Sequence, residues 1–527
     1  MATVGINIPA AEVRDDARVK RPARGLTQRA YLNAFAALLD HAVKGGVMAV
    51  VTPILVTGLG NSLFGVWQIV SRLVTYMQAA DGRPTQALKW VIAHSQASED
   101  HEAKRRHVGS ALGVWLLFLP VLLLMSALLV WAAPLVAKVP EEMHATVRLT
   151  CVLLAVNFLL MQLVLLPEAV LRGMNLGYKR MGLQAGLSVV GGALSVGALH
   201  AGGGLVGQAW AQVILGVLTG VLFLLVVKKF VPWFGFARPT FAEVRSFLRL
   251  SVWYFIWTFV HRFILASDIV ILGFVASASA VTTYTLTGFA GMTLMSVVTT
   301  LLGAVVPGLG GVIGQKQYER AAALRKEMMT VSWLTLAGMG STILLWNRSF
   351  VHLWVGAEHY AGLWPNLLIV VMIVQFMFIR NDAYVIDLTL QLREKVVVGA
   401  LAAALSIGLS ALLIPRLGIA GLCAGMIVGR LALTLSYPFL VRKHLGLPRA
   451  RGAMGAVRPA ATMGIMFAAS AYLGQTLLAG NWAVWLLSVG ASFALALALA
   501  LFVGLGEDLR RPLVKRLMML GTLRHAR

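Results

Sequence analysis

Charged side chains sit inside stretches that are otherwise apolar, and their types and spacing point to ion binding rather than covalent chemistry. Asp40, His41 and Lys44 share one such stretch. Arg72 stands in another, with Gln68 one helical turn before it and Tyr76 one turn after, so the three share a helical face. A third carries His261, Arg262 and Asp268, with Tyr254 and Thr258 on the Arg262 face. Arginine offers phosphate planar, bidentate contacts, and lysine offers it a point charge. Lys44, Arg72 and Arg262, together with Tyr76, are therefore candidates for holding an anionic substrate, and a pyrophosphate suits them better than a neutral or cationic molecule. Asp40 and Asp268 are candidates for a coupling ion, H+ or Na+.

Each of these residues also has a structural reading. Asp40 and Lys44 are spaced i, i+4 and can neutralise each other. Asp268 can pair with Arg262 or His261, and Arg380, Asp382 and Asp387 can neutralise one another. Arg430 follows Gly421, Gly425 and Gly429, a ladder of small residues that favours close helix packing. Span 281–309 has no charge but offers Thr293, Ser296, Thr299 and Thr300 to the same cavity.

Signatures of catalysis are missing. Nothing resembles a nucleophile–base pair, a GxxxxGK[ST] phosphate loop or an HExxH zinc motif, so the reading is a transporter body, not an enzyme, without cofactor or metal. His94, His101 and His107 cluster without cysteine or ordered spacing and read as a solvated loop. Cys151 and Cys423 lie in apolar segments and read as packing residues, with no disulfide framework.

The elements that must position these residues are membrane helices. A crossing needs about 20 mostly apolar residues. About fourteen stretches qualify on that principle, roughly 31–56, 62–80, 109–133, 149–170, 181–200, 204–227, 249–275, 281–309, 327–347, 363–386, 396–414, 418–440, 459–479 and 482–505. The chain is 59% hydrophobic, with a mean hydropathy of +0.80. Of its 45 Lys and Arg, nearly all outside the spans fall in one set of alternate gaps; the other set holds Lys138, Arg148, Arg348 and Arg416. Basic residues stay on the cytoplasmic side, which puts both termini inside. The net charge of +24 is spread over these short segments and serves topology and anionic lipid contact, not nucleic-acid binding. Residues 1–30 form a basic tail without the apolar centre of a signal peptide. Residues 506–527 form a second basic tail suited to an amphipathic interfacial helix.

Residues 168–211 and 382–425 match at a constant offset of 214: Glu168-Ala169 with Asp382-Ala383, and Gly204-Leu205-Val206-Gly207 with Gly418-Ile419-Ala420-Gly421. Such an offset spans six helices and preserves orientation, so it predicts two parallel six-helix repeats, 31–230 and 249–441, around a central site. Spans 459–479 and 482–505 fall outside this symmetry and read as a peripheral pair.

Three segments carry a resemblance: Leu63-Phe64-Gly65-Val66-Trp67, Leu171-Arg172-Gly173-Met174-Asn175, and the Gly204–Gly207 turn with its repeat. On these the chain, over nearly all of 31–505, resembles the polysaccharide transporters of the MOP (MATE-like) superfamily, which include the O-antigen and exopolysaccharide flippases. The resemblance implies an all-α polytopic protein of the bacterial inner membrane, with two lobes around a V-shaped cavity and alternating access. It implies that an undecaprenyl-pyrophosphate-linked oligosaccharide moves from the cytoplasmic to the periplasmic leaflet, with membrane lipids and polysaccharide polymerase or ligase machinery as partners. Lys44, Arg72 and Arg262 would supply the cationic cavity. The alternatives are a drug/cation antiporter of the same fold and a lipid II flippase.

Overall fold

The computed structural model describes residues 23–77, 81, 84–95, 98–174, 176, 178–245, 247–248, 267–303, 306–389, 392–447, 454–507 and 510. Among these the chain is helical throughout, without a strand. The first helix, α1 (Ala23–Tyr76), has 54 residues. At 1.5 Å per residue that is about 80 Å, far more than the roughly 30 Å of bilayer hydrocarbon. Gly60 breaks it into two limbs, with φ 77° and ψ 165°, a backbone state that only glycine adopts without strain.

After a short amphipathic α2 (Pro84–His94) come α3 (His101–Ala137), α4 (His144–Gly173), α5 (Tyr178–His200) and α6 (Gly204–Phe230). The second half holds α7 (Ser267–Val275), α8 (Ala278–Gly303), α9 (Val306–Gly314), α10 (Tyr318–Val355), α11 (Leu363–Leu388) and α12 (Leu392–His444). α13 (Met454–Leu473) and α14 (Trp482–Leu499) follow and pack against α10. Ten stretches among the described residues are long and apolar enough to cross a membrane, and two of them are the double-limbed α1 and α12. The reading of about fourteen spans is consistent with this, although 249–266 lies outside the described residues.

α12 reverses at Gly418, with φ 55° and ψ −131°. A Cβ at Gly421 would lie 2.4 Å from the Leu413 carbonyl oxygen, and one at Gly425 or Gly429 2.4 Å from the backbone nitrogen of Ser410 or Ser406. The partner numbers fall as the glycine numbers rise, so the limbs run antiparallel with their backbones nearly touching. The expected small-residue ladder thus zips a hairpin. Gly204, where the α5–α6 hairpin turns, has φ 52°. It precedes Gly418 by the repeat offset.

Within span 281–309, α8 is described to Gly303 and α9 from Val306, and Pro307 stands near the start of α9, where its missing N–H is tolerated. One sequence expectation changes here. The histidine cluster is not a solvated loop. α2 begins with Pro84 at its first position, a favoured site for proline. It buries Ala87, Leu88 and Ile92 against α3 and α4. Gly173 of α4 makes room for it, since a Cβ there would meet Ile92 at 2.8 Å.

The connection between the halves, 231–245, is strapped to the start of α3. Arg105 Nε donates to the Trp233 carbonyl at 2.8 Å. His101 stacks on the Trp233 ring, and Lys104 Nζ lies 5.4 Å from that ring's centre while donating to the Ser98 carbonyl at 2.7 Å. Arg106 pairs with Glu243 at 3.1 Å. Burial works upward on the Glu243 carboxyl, but hydrogen bonds from Thr240 and Arg106 outweigh it and hold the group below the usual carboxylate range.

Large apolar side chains cover the outside of the bundle, with Leu124, Leu435 and Leu487 exposed by 73%, 73% and 76%. A soluble surface rarely carries so continuous an apolar coat, and here it is the lipid-facing side of a multi-pass membrane protein.

Candidate functional site

Arg72 and Tyr76 lie on the second limb of α1, which faces the carboxy-terminal half. Arg72 is half-buried, and its guanidinium has no ion pair among the described residues. Tyr76, one turn on, lies within the fields of both Arg72 and Asp268. A charge at mid-bilayer costs about 2.5–3.5 kcal/mol on insertion scales and normally faces protein or water.

On the first limb, Lys44 Nζ lies 3.6 Å from Asp40 Oδ2. The pair forms, as the i, i+4 spacing allows, but loosely: the lysine side chain is 43% exposed and Asp40 Oδ1 has no hydrogen-bond partner among the described residues. Arg262, with His261, Tyr254 and Thr258, lies outside the described residues.

Asp268 is buried at the start of α7 and accepts a hydrogen bond from the Tyr284 hydroxyl of α8 at 2.7 Å. Buried Arg430, from the second limb of α12, lies within electrostatic reach of Asp268, Tyr284 and Cys423, with its guanidinium 5.9 Å from the Phe376 ring centre. The partners found for Asp268 are thus Tyr284 and Arg430, brought in from other helices. A tyrosine in the next apolar span was the one available hint for Tyr284; nothing local points to Arg430.

The expected mutual neutralisation of Arg380, Asp382 and Asp387 is only partial: Arg380 lies in the field of Asp387, but no ion pair joins the three among the described residues. Positions two apart on a helix point to opposite sides, which separates Arg380 from Asp382. Asp382 instead pairs with Arg325 of α10 at 2.6 Å, and Asp387 with the fully buried Lys395 of α12 at 2.5 Å. Arg380 donates to the Tyr384 hydroxyl at 3.0 Å and lies near the rings of Phe376 and Tyr384. In the amino-terminal half, buried Glu168 pairs with Arg172 at 2.6 Å, at the position offset from Asp382 by the repeat. On α8, Thr299 Oγ1 contacts the Met377 sulfur of α11 at 3.6 Å, so it faces the interior of its own half.

The two halves meet at the end of the bundle where Gly60 and Gly418 turn. Thr282 Oγ1 donates to the Asn61 carbonyl at 2.6 Å, Trp354 Nε1 to the Ala49 carbonyl at 2.6 Å, and Lys138 Nζ to the Val275 carbonyl at 3.2 Å. The His359 ring lies 2.5 Å from Asn61 Oδ1. Gly65 lets the helices touch, because a Cβ there would sit 1.9 Å from the Ala278 carbonyl oxygen. Phe64, next to it, packs with Leu55, Val56, Leu286 and Trp354. The Phe64-Gly65 dipeptide of the sequence motif is thus the dry part of this seam. The opposite end carries α2, the strap, and most of the chain's described Lys and Arg.

A family model described as polysaccharide biosynthesis protein matches residues 32–311. No curated protein sequence matches the chain. Among solved structures, the lipid II flippase MurJ in an inward closed conformation superposes with a TM-score of 0.66 at 11% identity, covering 89% of this chain and 98% of that one. An inward-facing multidrug resistance MATE family transporter of the MOP superfamily gives 0.60 at 13% identity, covering 78% of this chain and 98% of the other. An outward-facing one gives 0.52 at 13%, covering 81% and 99%. At such identities the likeness is one of fold. The family match takes in more than half of the chain: this protein belongs to the polysaccharide biosynthesis protein family, and its fold is the one seen in the MurJ and MATE structures.

Proposed function

We propose that the protein is a flippase for an oligosaccharide linked to undecaprenyl pyrophosphate, carrying it from the inner to the outer leaflet of the bacterial inner membrane by alternating access. The basic end, with both termini, faces the cytoplasm, and the seam end faces the periplasm. The observation that carries the substrate class is the internal charge balance. Asp268, Asp382, Asp387 and Glu168 each have a protein partner, whereas Arg72 has no ion pair among the described residues. A site whose acids are occupied and whose arginine is available attracts a pyrophosphate and repels a cationic drug.

In this reading Arg72 takes the pyrophosphate with Tyr76, and Lys44 and Arg262 extend the cationic wall. The lipid tail stays in the bilayer while the glycan passes between the halves. The closed seam matches a state in which the halves part on the cytoplasmic side. A coupling ion, H+ or Na+, would find a hydrogen-bond-free oxygen on Asp40. Asp268 has the same vacancy but sits in the field of Arg430, which disfavours a second cation.

The test is deletion of the gene, with surface polysaccharide and lipid-linked intermediates followed, then complementation with wild type or Arg72→Ala. Loss of surface glycan with lipid-linked oligosaccharide held in the inner leaflet, rescued by wild type but not by the variant, is the expected result. Normal glycan export with raised sensitivity to cationic drugs would replace this reading with an antiporter.

A further inference from the structure

The strap at 231–245 carries an outer face that the transport reading does not use. Phe241, 83% exposed, is the most exposed large apolar side chain among the described residues, and Phe236 is 55% exposed. Both stand on firmly docked chain. Val231 and Trp233 are buried, and the Ala237 N–H donates to the Arg105 carbonyl at 3.3 Å. Successive side chains of an extended segment alternate in direction, so Pro232, Phe236 and Arg238 are left outside. Thr240 then caps a helical turn at 241–245. Its N–H donates to Glu243 Oε2 at 2.7 Å, and its hydroxyl oxygen accepts the Glu243 N–H at 3.3 Å. Phe241 and Arg245, one turn apart, share the exposed side of that helix.

α3 sets the depth of this face. A Cβ at Gly109 would sit 2.1 Å from the Ala237 carbonyl oxygen, and one at Gly113 3.6 Å from the Val244 side chain. From Arg105 to Gly113 the helix climbs about 12 Å. One turn beyond Gly113, on the same side, exposed Leu116 and Leu117 begin the lipid-facing coat. The strap thus runs from the basic end to the edge of the hydrocarbon, and Phe241 stands at that edge. The outward charges here are of one sign. Lys228 and Lys229, which end α6, are exposed, as are Arg238 and Arg245. Glu243, the one acid of 228–245, is turned to Arg106.

We propose that the outer face of the strap is a docking surface for anionic phospholipid, with Phe236 and Phe241 set among the headgroups and Lys228, Lys229, Arg238 and Arg245 against their phosphates. The inner leaflet as its location rests on the orientation given above; the surface itself does not depend on which substrate is carried. Two features select lipid over a soluble partner. The face is continuous with the lipid-facing coat of α3, and its cations have no outward carboxylate among them. Apolar rings at the headgroup boundary and basic side chains beside anionic lipid are each favourable, and together they hold a segment flat on the bilayer. The connection between the two halves is thereby kept at a fixed depth on the membrane surface.

The test is fluorescence quenching on the full-length protein in nanodiscs, which open both membrane faces to the solution. Cys151 and Cys423 are replaced by alanine, and an environment-sensitive probe is attached through Ala242→Cys, an exposed position beside Phe241. In discs of phosphatidylcholine mixed with phosphatidylglycerol, the probe should be quenched by a lipid with a nitroxide on its headgroup and shielded from aqueous acrylamide. In phosphatidylcholine alone both effects should weaken. Phe241→Ser should raise acrylamide quenching, and Arg238→Gln with Arg245→Gln should remove the difference between the two kinds of disc. Neither change should move the unfolding temperature, because these side chains stand outside the packed core. A probe open to acrylamide and untouched by the nitroxide lipid overturns the surface and leaves the face to a soluble partner. Lipid quenching that is the same with and without phosphatidylglycerol overturns its anionic character. Neither outcome touches the flippase reading, which stands or falls on glycan export.

Discussion

The two halves carry their charge in opposite ways. In the carboxy-terminal half, ionised groups are tied across helices: Asp382 to Arg325, Asp387 to Lys395, and Asp268 to Tyr284 within reach of Arg430. In the amino-terminal half the membrane-embedded ion pairs are local, Asp40 with Lys44 and Glu168 with Arg172, each within one helical turn, and Arg72 has none among the described residues. Ties between helices fix a bundle's shape; pairs within one helix leave neighbouring helices free to shift. The contrast assigns rigidity to one half and the available cation to the other.

The strongest way to break this contrast is to remove one member of a cross-helix pair. Arg325→Ala leaves Asp382, with a side chain 3% exposed, without its partner. Unpairing a buried charge costs about 3–5 kcal/mol, so thermal unfolding in detergent should occur at a clearly lower temperature and membrane abundance should fall. Unchanged stability would show that water reaches Asp382 and that the half is less rigid than its pairs suggest.

A smaller effect is expected at the seam. Gly65→Ala drives a methyl group into the Ala278 carbonyl, and overpacking of this kind costs about 1–3 kcal/mol. The cost falls only on the closed-seam state, so spin labels placed through Ala201→Cys and Leu417→Cys, with Cys151 and Cys423 replaced by alanine, should report a shift toward the longer distance, with unfolding hardly changed. A drop in unfolding temperature without a distance shift would mean that the halves do not separate there.

The smallest structural effect, and the sharpest functional one, belongs to Arg72. Arg72→Ala should leave abundance unchanged and weaken binding of a lipid pyrophosphate by about 1.5–3 kcal/mol, the usual worth of a hydrogen bond to a charged group. Arg72→Lys should recover part of it, because lysine keeps the charge but not the bidentate geometry. Lys44→Met should weaken binding less than Arg72→Ala, because the lysine charge is partly met by Asp40 at 3.6 Å; no loss of binding would remove Lys44 from the cationic wall.

Much of this architecture is legible in the chain, and the limits of legibility have a common cause. Hydropathy reports helices because each must be apolar along its own length, and Gly418 with its glycine ladder announces a hairpin because close packing needs consecutive small residues. The 382/380 separation was likewise available from helical geometry. What local pattern cannot carry is the choice of partner across the bundle. Nothing near Lys395 in sequence announces that its side chain is fully buried beside Asp387. Arg430 reads as a packing residue, and only the fold brings it near Asp268. α2 was hidden in a basic loop because eleven residues are too few to stand out against the long apolar spans. The candidate site divides in the same way: the Arg72–Tyr76 face follows from spacing, whereas its nearness to Asp268 needed the other half.

During synthesis, the strap at 231–245 can dock on α3 before any of the carboxy-terminal half exists. The residues of α3 that it grips, from His101 to Gly113, have by then long left the ribosome, as have the α2 and α4 residues it packs with. The first six helices and their connector can therefore mature as a finished unit, against which the second half is then laid down. A gene cut between the strap and α7 should yield two polypeptides that reassemble when made together, and the connection between the halves would be a matter of delivery rather than of function.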